Sequence, residues 1–268
     1  MQFALLNGNR VEALKGKSAV CLGCGQKVIA KCGFIKIHHW AHVSLSHCDS
    51  WWESETLWHR QWKEVFAPEF REVSFYDESL NEFHRADIHT ASGLTIELQN
   101  SPITTEELQS RERFYPKLIW VVNGLKFKGF KILKSIPNPL SPLLDPFEFC
   151  ASEHLSVIRK IDALAQNPQS EVLNFYHKEL KSIPVSSDFY SFSWRNAHKA
   201  WLNASCPIFI DFGGHFFYRL RKRHQISIDY NYLQLISKTA FIDKYSEFGK
   251  DVKLETASGK SFNDIVAQ

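Results

Sequence analysis

The stretch "RADIHTASGLTIELQNSP", residues 85–102, leaves a chain few ways to fold. Ala91-Ser92-Gly93 has the composition of a three-residue hairpin loop, with Gly93 at the position that needs a left-handed backbone. Thr90 then pairs with Leu94, and the register sets Asp87 opposite Glu97 and Arg85 opposite Gln99. Ile96 and Leu98 project to the other face, toward a core. Two carboxylates directly across strands repel. A divalent cation between them reverses that sign, because hard cations such as Mg²⁺ seek carboxylate oxygens. The second strand therefore reads as core on one face and a metal site on the other.

The flanking segments set this hairpin in a larger order. "SWWESETLWHRQWKEVF" (50–66) has helical periodicity, with Ser50 as N-cap and Glu53 in capping-box relation to it. Trp51, Trp58, Trp62, Val65 and Phe66 fall on one stripe, and Glu55 falls inside it. Glu53 and Glu64 point away, while His59 and Lys63 follow Glu55 along the edge. A carboxylate on an aromatic face is costly unless it is hydrogen-bonded or metal-bound. The remaining elements are strands at 70–76, 82–90 and 94–100, a helix at 104–115 capped by Thr104, and a strand at 117–123. The expected order is αβββαβ.

Four of the six cysteines lie before residue 50, beside four histidines. Cys21-x2-Cys24, followed after fourteen residues by His39-x2-His42, offers two thiols on a glycine-bearing turn and two imidazoles a short reach away. That set suits tetrahedral Zn²⁺ in a closed structural site. His38 could stand in for His39, and Cys32, His47 or Cys48 could be recruited. A redox CxxC or plain buried thiols are the rival readings. A piece of about 50 residues with short strands has little core of its own, which gives a metal structural work there.

Hydrophobic residues are 44 % and charged residues 23 % of the 268, and the 21 Phe and 8 Trp are enough to fill a sizeable core. Disorder as the overall state is excluded on that ground. No apolar run reaches membrane-spanning length and the first residues are too polar for a signal peptide, so a cytoplasmic protein with reduced thiols and no membrane partner is expected. Net charge is a mild +3, with the densest basic run at "RLRKRH" (219–224). A solvated face is the commoner explanation of such a run. The division expected is a zinc-bearing β module over 1–50, a core over 51–135, and a helix-rich accessory region over 136–268, because "ASEHLSVIRKIDALAQ" and "EVLNFYHKELKSI" have helical spacing.

Several of these motifs in one order carry a resemblance: the CxxC followed by "HHWAH", "ESETLWHRQWK", "RADI", "IELQNSPIT", and an Arg followed by Tyr before "LIWVV". Across residues 15–123 the chain resembles the CoiA-like competence proteins, and its αβββαβ order with D…ExK-like residues resembles the core of the PD-(D/E)XK nuclease superfamily. The resemblance implies an α/β (α+β) fold and a DNA-directed, metal-dependent nuclease. Asp87 and Glu97 would bind catalytic Mg²⁺ or Mn²⁺, with Glu55 in support. Gln99 stands where the superfamily usually has lysine. A neutral amide orients a water but supplies no charge, so Lys63 or His59 would have to provide charge or proton transfer. A glutamine here is itself usual among the CoiA-like proteins. Arg85, Lys63 and Arg111 are the candidate phosphate contacts. The rival is a nucleic-acid-binding module that holds DNA single strands and cuts weakly or not at all; a third reading is a structural zinc protein whose acids form ordinary pairs.

Overall fold

The computed structural model describes residues 1–44, 48–150, 155–166, 168–195, 197 and 199–246. Its first part is a five-stranded antiparallel sheet in the order β2-β1-β3-β4-β5, from β1 (Phe3–Leu6), β2 (Asn9–Glu12), β3 (Ser18–Val20), β4 (Lys27–Lys31) and β5 (His39–His42). Asn7 and Gly8 both take positive φ between β1 and β2, as a tight hairpin turn requires. A small core of Met1, Ala4, Val28 and Trp40 backs this sheet.

The middle of the chain runs α1 (Leu57–Glu64), β6 (Arg71–Asp77), β7 (Glu82–His89), β8 (Thr95–Gln99), α2 (Thr105–Phe114) and β9 (Leu118–Asn123). The element order and the strand bounds agree with the sequence to within a residue or two. So does the hairpin: Ile88 pairs with Ile96 and His89 with Thr95, the Thr90 amide donates to Leu94 O at 2.9 Å, and Gly93 sits at φ +78°. The described pairing ends there, and the Leu98 amide donates instead to the Asp87 carboxylate at 3.0 Å.

The chain continues through β10 (Phe130–Pro137), β11 (Phe147–Phe149), β12 (Ser156–Arg159), α3 (Lys160–Leu164), β13 (Leu173–Asn174), β14 (Val185–Trp194), α4 (Lys199–Leu202), β15 (Ile208–Asp211), β16 (Phe216–Arg223), β17 (Tyr230–Ser237) and α5 (Lys238–Tyr245). This region is strand-rich, against the expectation of helices. The helical spacing of 151–166 yields only α3 among the described residues, since the β-branched Val157 and Ile158 pair with Phe149 and Glu148 instead. The segment 171–183 gives the two-residue β13 and turns; residues 151–154 lie outside the described residues.

One nine-stranded mixed sheet, β10-β14-β17-β16-β15-β9-β8-β7-β6, takes strands from both sides of residue 135. β9 runs parallel to both β8 and β15; the other described pairs are antiparallel. Helices α1 and α5 cover one face, where Trp62, Phe66, Ile96, Leu98, Phe217 and Phe241 form a core. On the other face Leu108 of α2 and Trp201 of α4 pack with Trp120, Val122 and Ile208. Full cover on both faces is why every residue of β8 and β9 is buried.

Buried polar anchors fix the helices that frame the site. Asp211 accepts from Lys238 Nζ at 2.6 Å and from the indole N–H groups of Trp58 at 3.0 Å and Trp62 at 2.9 Å, tying α1 and α5 to β15. Glu112 of α2 accepts from Trp120 Nε1 at 3.2 Å and from the Ser205 and Cys206 amides at 3.0 Å each.

Helix α1 begins later than its periodicity suggests. Thr56 is the N-cap, and its reciprocal partner is His59, whose Nδ1 accepts from the Thr56 amide at 3.1 Å. The preceding residues have stronger tertiary partners. Trp51 stacks on His84 with ring centroids 3.4 Å apart, and Glu53 accepts the amides of Asn100 at 2.9 Å and Ser101 at 3.0 Å. Ser50 is therefore not a helix cap, and Glu53 does not point away from the sheet.

Candidate functional site

The N-terminal sheet brings together Cys21 and Cys24 from the turn after β3, His42 from the end of β5, and Cys48. Their four ligating atoms all lie within 4.8 Å of one another, with Cys21 Sγ to Cys48 Sγ at 3.9 Å and Cys24 Sγ to His42 Nε2 at 3.2 Å. Two thiolates about 2.3 Å from a tetrahedral centre are ~3.8 Å apart, so the arrangement suits Zn²⁺. Three of the four expected ligands are in place. His39 is not: its Nδ1 lies 2.8 Å from Ile37 O, and Cys48 takes the fourth position. Cys48 arrives there because it bridges to Phe83 at β7, far along the chain. Cys32 is turned away, with its thiol 3.6 Å from Ala13 O; His47 lies outside the described residues.

The thiols' acidities agree with that reading. The hydrogen bond from Cys48 pulls Cys21 down to about 4, while the contact with Cys21 pushes Cys48 up and burial raises Cys24. One thiolate forms easily and a second is opposed by the first. A bound cation is what lets all three thiols deprotonate together. The cluster could hold zinc.

Next to this module, the N-terminal end of α1 and the hairpin enclose a cavity of about 50 Å³. Glu55, His59, Lys63, Arg85, Asp87, Glu97 and Arg111 all line it, so seven of the expected site residues converge from α1, β7, β8 and α2. Asp49, Glu53 and Glu72 complete a lining of six carboxylates against Lys63, Arg85, Arg111 and His59.

Lys63 is the hub. Its Nζ lies 3.0 Å from Asp87 Oδ1, 3.1 Å from Glu72 Oε1 and 3.4 Å from Glu55 Oε1. Burial works against its charge, but these three carboxylates raise it well above the ordinary lysine value. Burial likewise opposes ionisation of Asp87, and Lys63 overrides it, holding Asp87 below the usual carboxylate range. The Leu98 amide donates to Asp87 Oδ2 at 3.0 Å. Glu55 also accepts from Arg60 Nε at 2.7 Å.

Glu97 behaves differently. Burial pushes it up to about 8 despite Arg111, whose Nη1 donates to Oε2 at 2.9 Å, and Asp87 adds to the rise. The two carboxyl groups thus differ: Lys63 favours the ionised form of Asp87, and burial favours the protonated form of Glu97.

Three placements depart from expectation. Gln99 does not line the cavity; its Nε2 donates to Glu53 Oε2 at 3.0 Å and to Ser101 O at 3.2 Å, so it holds Glu53 rather than a water. His59 Nε2 donates to Glu53 Oε1 at 2.5 Å and to Leu98 O at 3.1 Å. Burial would raise Glu53, but the His59 hydrogen bond and those from Ser101 and Asn100 keep it below the usual range. Finally, the two candidate phosphate arginines are engaged: Arg85 with Asp49 at 2.8 Å, and Arg111 with Glu97, Glu107 and Trp51 O.

Glu72 was not foreseen. It sits on β6 at φ +50°, where a non-glycine residue is strained, and its carboxylate accepts the Gln2 amide at 2.8 Å and the Phe3 amide at 3.2 Å. It joins the N-terminal sheet to Lys63. Only its position at the start of a strand and its charge were visible beforehand.

For a divalent ion the donor set is right in chemistry. Glu55 Oε2 and Glu97 Oε1 are hard oxygens, buried without a hydrogen-bond partner. The geometry is not yet that of a metal site: among the described residues, the Cys/His cluster is the group that gathers three or more ligating atoms within 4.8 Å. Lys63 already pairs with Glu55, Glu72 and Asp87.

The described fold and its two clusters define the class: an α+β protein with a Cys/His metal-type module docked beside an acid-lined cavity in a large mixed sheet. Residues 5–50 match the family model of the competence protein CoiA, N-terminal domain, which supports a CoiA-like competence protein. No curated protein and no solved structure matches the chain. No helix among the described residues is long and apolar enough to cross a membrane.

Proposed function

We propose that this chain processes DNA in a competence-related role, and that the acid-lined cavity is a nuclease-like centre for phosphodiester hydrolysis. The convergence of seven expected residues on one cavity beside the CoiA-like module carries this reading. Glu55, Asp87 and Glu97 would hold Mg²⁺ or Mn²⁺, which supplies Lewis-acid charge to the scissile phosphate. Lys63, at 3.0 Å from Asp87, supplies from the helix the charge that Gln99 lacks, stabilising negative charge that develops on the phosphoryl oxygens. Gln99 and His59 both bond Glu53, and so brace the loop ahead of α1 against the end of β8.

A second reading keeps the fold and drops the chemistry: a nucleic-acid-binding protein whose cleavage is weak or absent. The contacts of Lys63 with Glu55, Glu72 and Asp87 favour it, because acids already neutralised by a lysine attract a metal less.

One assay separates them. Labelled single-stranded and duplex DNA are incubated with the protein and Mg²⁺, Mn²⁺ or neither, beside Asp87→Asn. Cleavage that needs the ion and disappears in Asp87→Asn is the expected outcome. Binding without cleavage under every ion selects the second reading.

A further inference from the structure

The basic run at 219–224 has no part in the cavity, and its geometry is not that of a solvated face. Arg219, Arg221 and Arg223 alternate along β16 and so share one face of the sheet, opposite Gln234, Tyr232 and Tyr230 of β17. Phe189 of β14 pairs with Gln234 and extends the same face. Both ends of this face are closed. Phe217 lies under Trp62 of α1 and Phe241 of α5, while Arg223 binds the carbonyls of Leu144 at 2.8 Å and Phe147 at 3.1 Å. Arg219 and Arg221 lie between, half-buried on the same face.

The two arginines that line the cavity each have a carboxylate: Arg85 with Asp49 and Arg111 with Glu97. Arg219 and Arg221 have none among the described residues. Arg221 Nη1 donates to the neutral amide of Gln234 at 3.1 Å. Arg219 Nε is buried with no hydrogen-bond partner, and its guanidinium lies 5.5 Å from the Phe209 ring. Burial lowers the pKa of Arg219, and Arg221 lowers it further; the other groups acting on it are the phenols of Tyr245 and Tyr232. Two half-buried guanidiniums side by side, with no anion, are costly in the free protein. Phosphate is the anion that the guanidinium fork matches with two parallel hydrogen bonds. Of the rings on this face, Tyr232 is buried and Tyr230 stacks on Phe149 with centroids 4.4 Å apart, so the half-buried Phe189 is the ring that offers a base a stacking surface.

We propose that this face of β14, β17 and β16 binds single-stranded DNA, with Arg219 and Arg221 on consecutive phosphates and Phe189 beside a base. Guanidiniums beside an aromatic ring on one sheet face fit an unpaired strand, whose bases are free to stack, better than a duplex. The inference rests on the DNA-directed reading above but not on cleavage.

Fluorescence anisotropy of a labelled oligothymidylate, without Mg²⁺ or Mn²⁺ so that cutting is silent, tests it on the full chain. Arg219→Ala/Arg221→Ala should weaken binding at least tenfold and lower the slope of log affinity against log salt by about 1.4, the value for two phosphates of a single strand. Arg219→Lys/Arg221→Lys, which keeps the charge and the fold, should retain the slope. Ultraviolet cross-linking of the unaltered protein should map to β14, β16 or β17, whatever the variants do. Unchanged affinity and slope in the alanine variant, cross-links confined to residues before 124, or tighter binding of duplex would overturn the proposal. Cleavage with binding unchanged in the variant would leave the nuclease reading standing and remove this face; binding lost in the variant, with no cleavage by the parent, does the reverse.

Discussion

The Cys/His cluster and the acid-lined cavity are neighbours that handle like charge in opposite ways. In the cluster, Cys21, Cys24, His42 and Cys48 gather near Arg85, whose guanidinium is already paired with Asp49, and the contact between Cys21 and Cys48 drives their acidities apart. In the cavity, Glu55, Glu72 and Asp87 gather around a cation the chain supplies itself, Lys63. Thiols have no lysine to neutralise them and need a metal to ionise together. The carboxylates are stable without one, so any divalent ion there must compete with an ammonium group already in place. A structural metal and a catalytic one make different demands: the first must be needed, the second must be able to come and go.

The largest effect expected from breaking this contrast is at the cluster. Cys48→Ser should cut zinc from about one per chain to a small fraction, because the site then has three ligands. The N-terminal sheet should loosen with it, seen as faster amide exchange in β3 to β5, since metal binding and folding are coupled. His39→Ala should keep its zinc, which separates the observed ligand set from the one that spacing alone suggests.

Next in size is Lys63→Met. Removing the ammonium leaves Asp87, Glu72 and Glu55 without their shared partner, a change that costs roughly 3–5 kcal/mol when one member of a buried pair is lost. Mg²⁺ should restore part of that loss in the variant and little in the parent. A variant that melts like the parent would mean the lysine is not the hub.

Glu53→Gln should cost about 1.5–3 kcal/mol, the range for hydrogen bonds to a charged group, because it weakens the bonds from His59 and the Asn100 and Ser101 amides. Glu64→Gln, on the exposed side of α1, should stay within about 0.5 kcal/mol. Equal urea midpoints for the two would contradict the placement of Glu53.

The pH dependence carried by Glu97 is read as a slope rather than as a single loss. Its folded pKa of about 8 lies above the unfolded value near 4.5, so the folded state holds the extra proton. Its stabilising effect is complete below about pH 4.5 and is lost as pH rises toward 8. Glu97→Gln should therefore flatten the fall in melting temperature between pH 5 and 8 in Mg²⁺-free protein. Asp87, held below its ordinary value, acts in the opposite direction and matters only in acid.

What the sequence made legible were the features set by near neighbours. The pairing of Ile88 with Ile96 and His89 with Thr95 follows from Thr90, Gly93 and strand alternation, and the Thr104 cap of α2 follows from the residues after it. What stayed hidden depends on partners far along the chain. The start of α1 is set by Glu53 reaching Asn100 and Ser101, and the fourth cluster ligand is chosen because Cys48 bridges to Phe83. The helical spacing after residue 150 gave way because Val157 and Ile158 could pair with β11. Lys63 lay on the right stripe, but its three carboxylates come from a loop and two strands, which no helical wheel displays.

The contrast between the two regions rests on the cluster being a three-sulfur site completed by Cys48. X-ray absorption at the zinc edge of freshly purified protein measures that donor set directly. Three sulfurs near 2.3 Å and one nitrogen near 2.0 Å are the expected shell. Two sulfurs with two nitrogens, or protein without zinc, would contradict it.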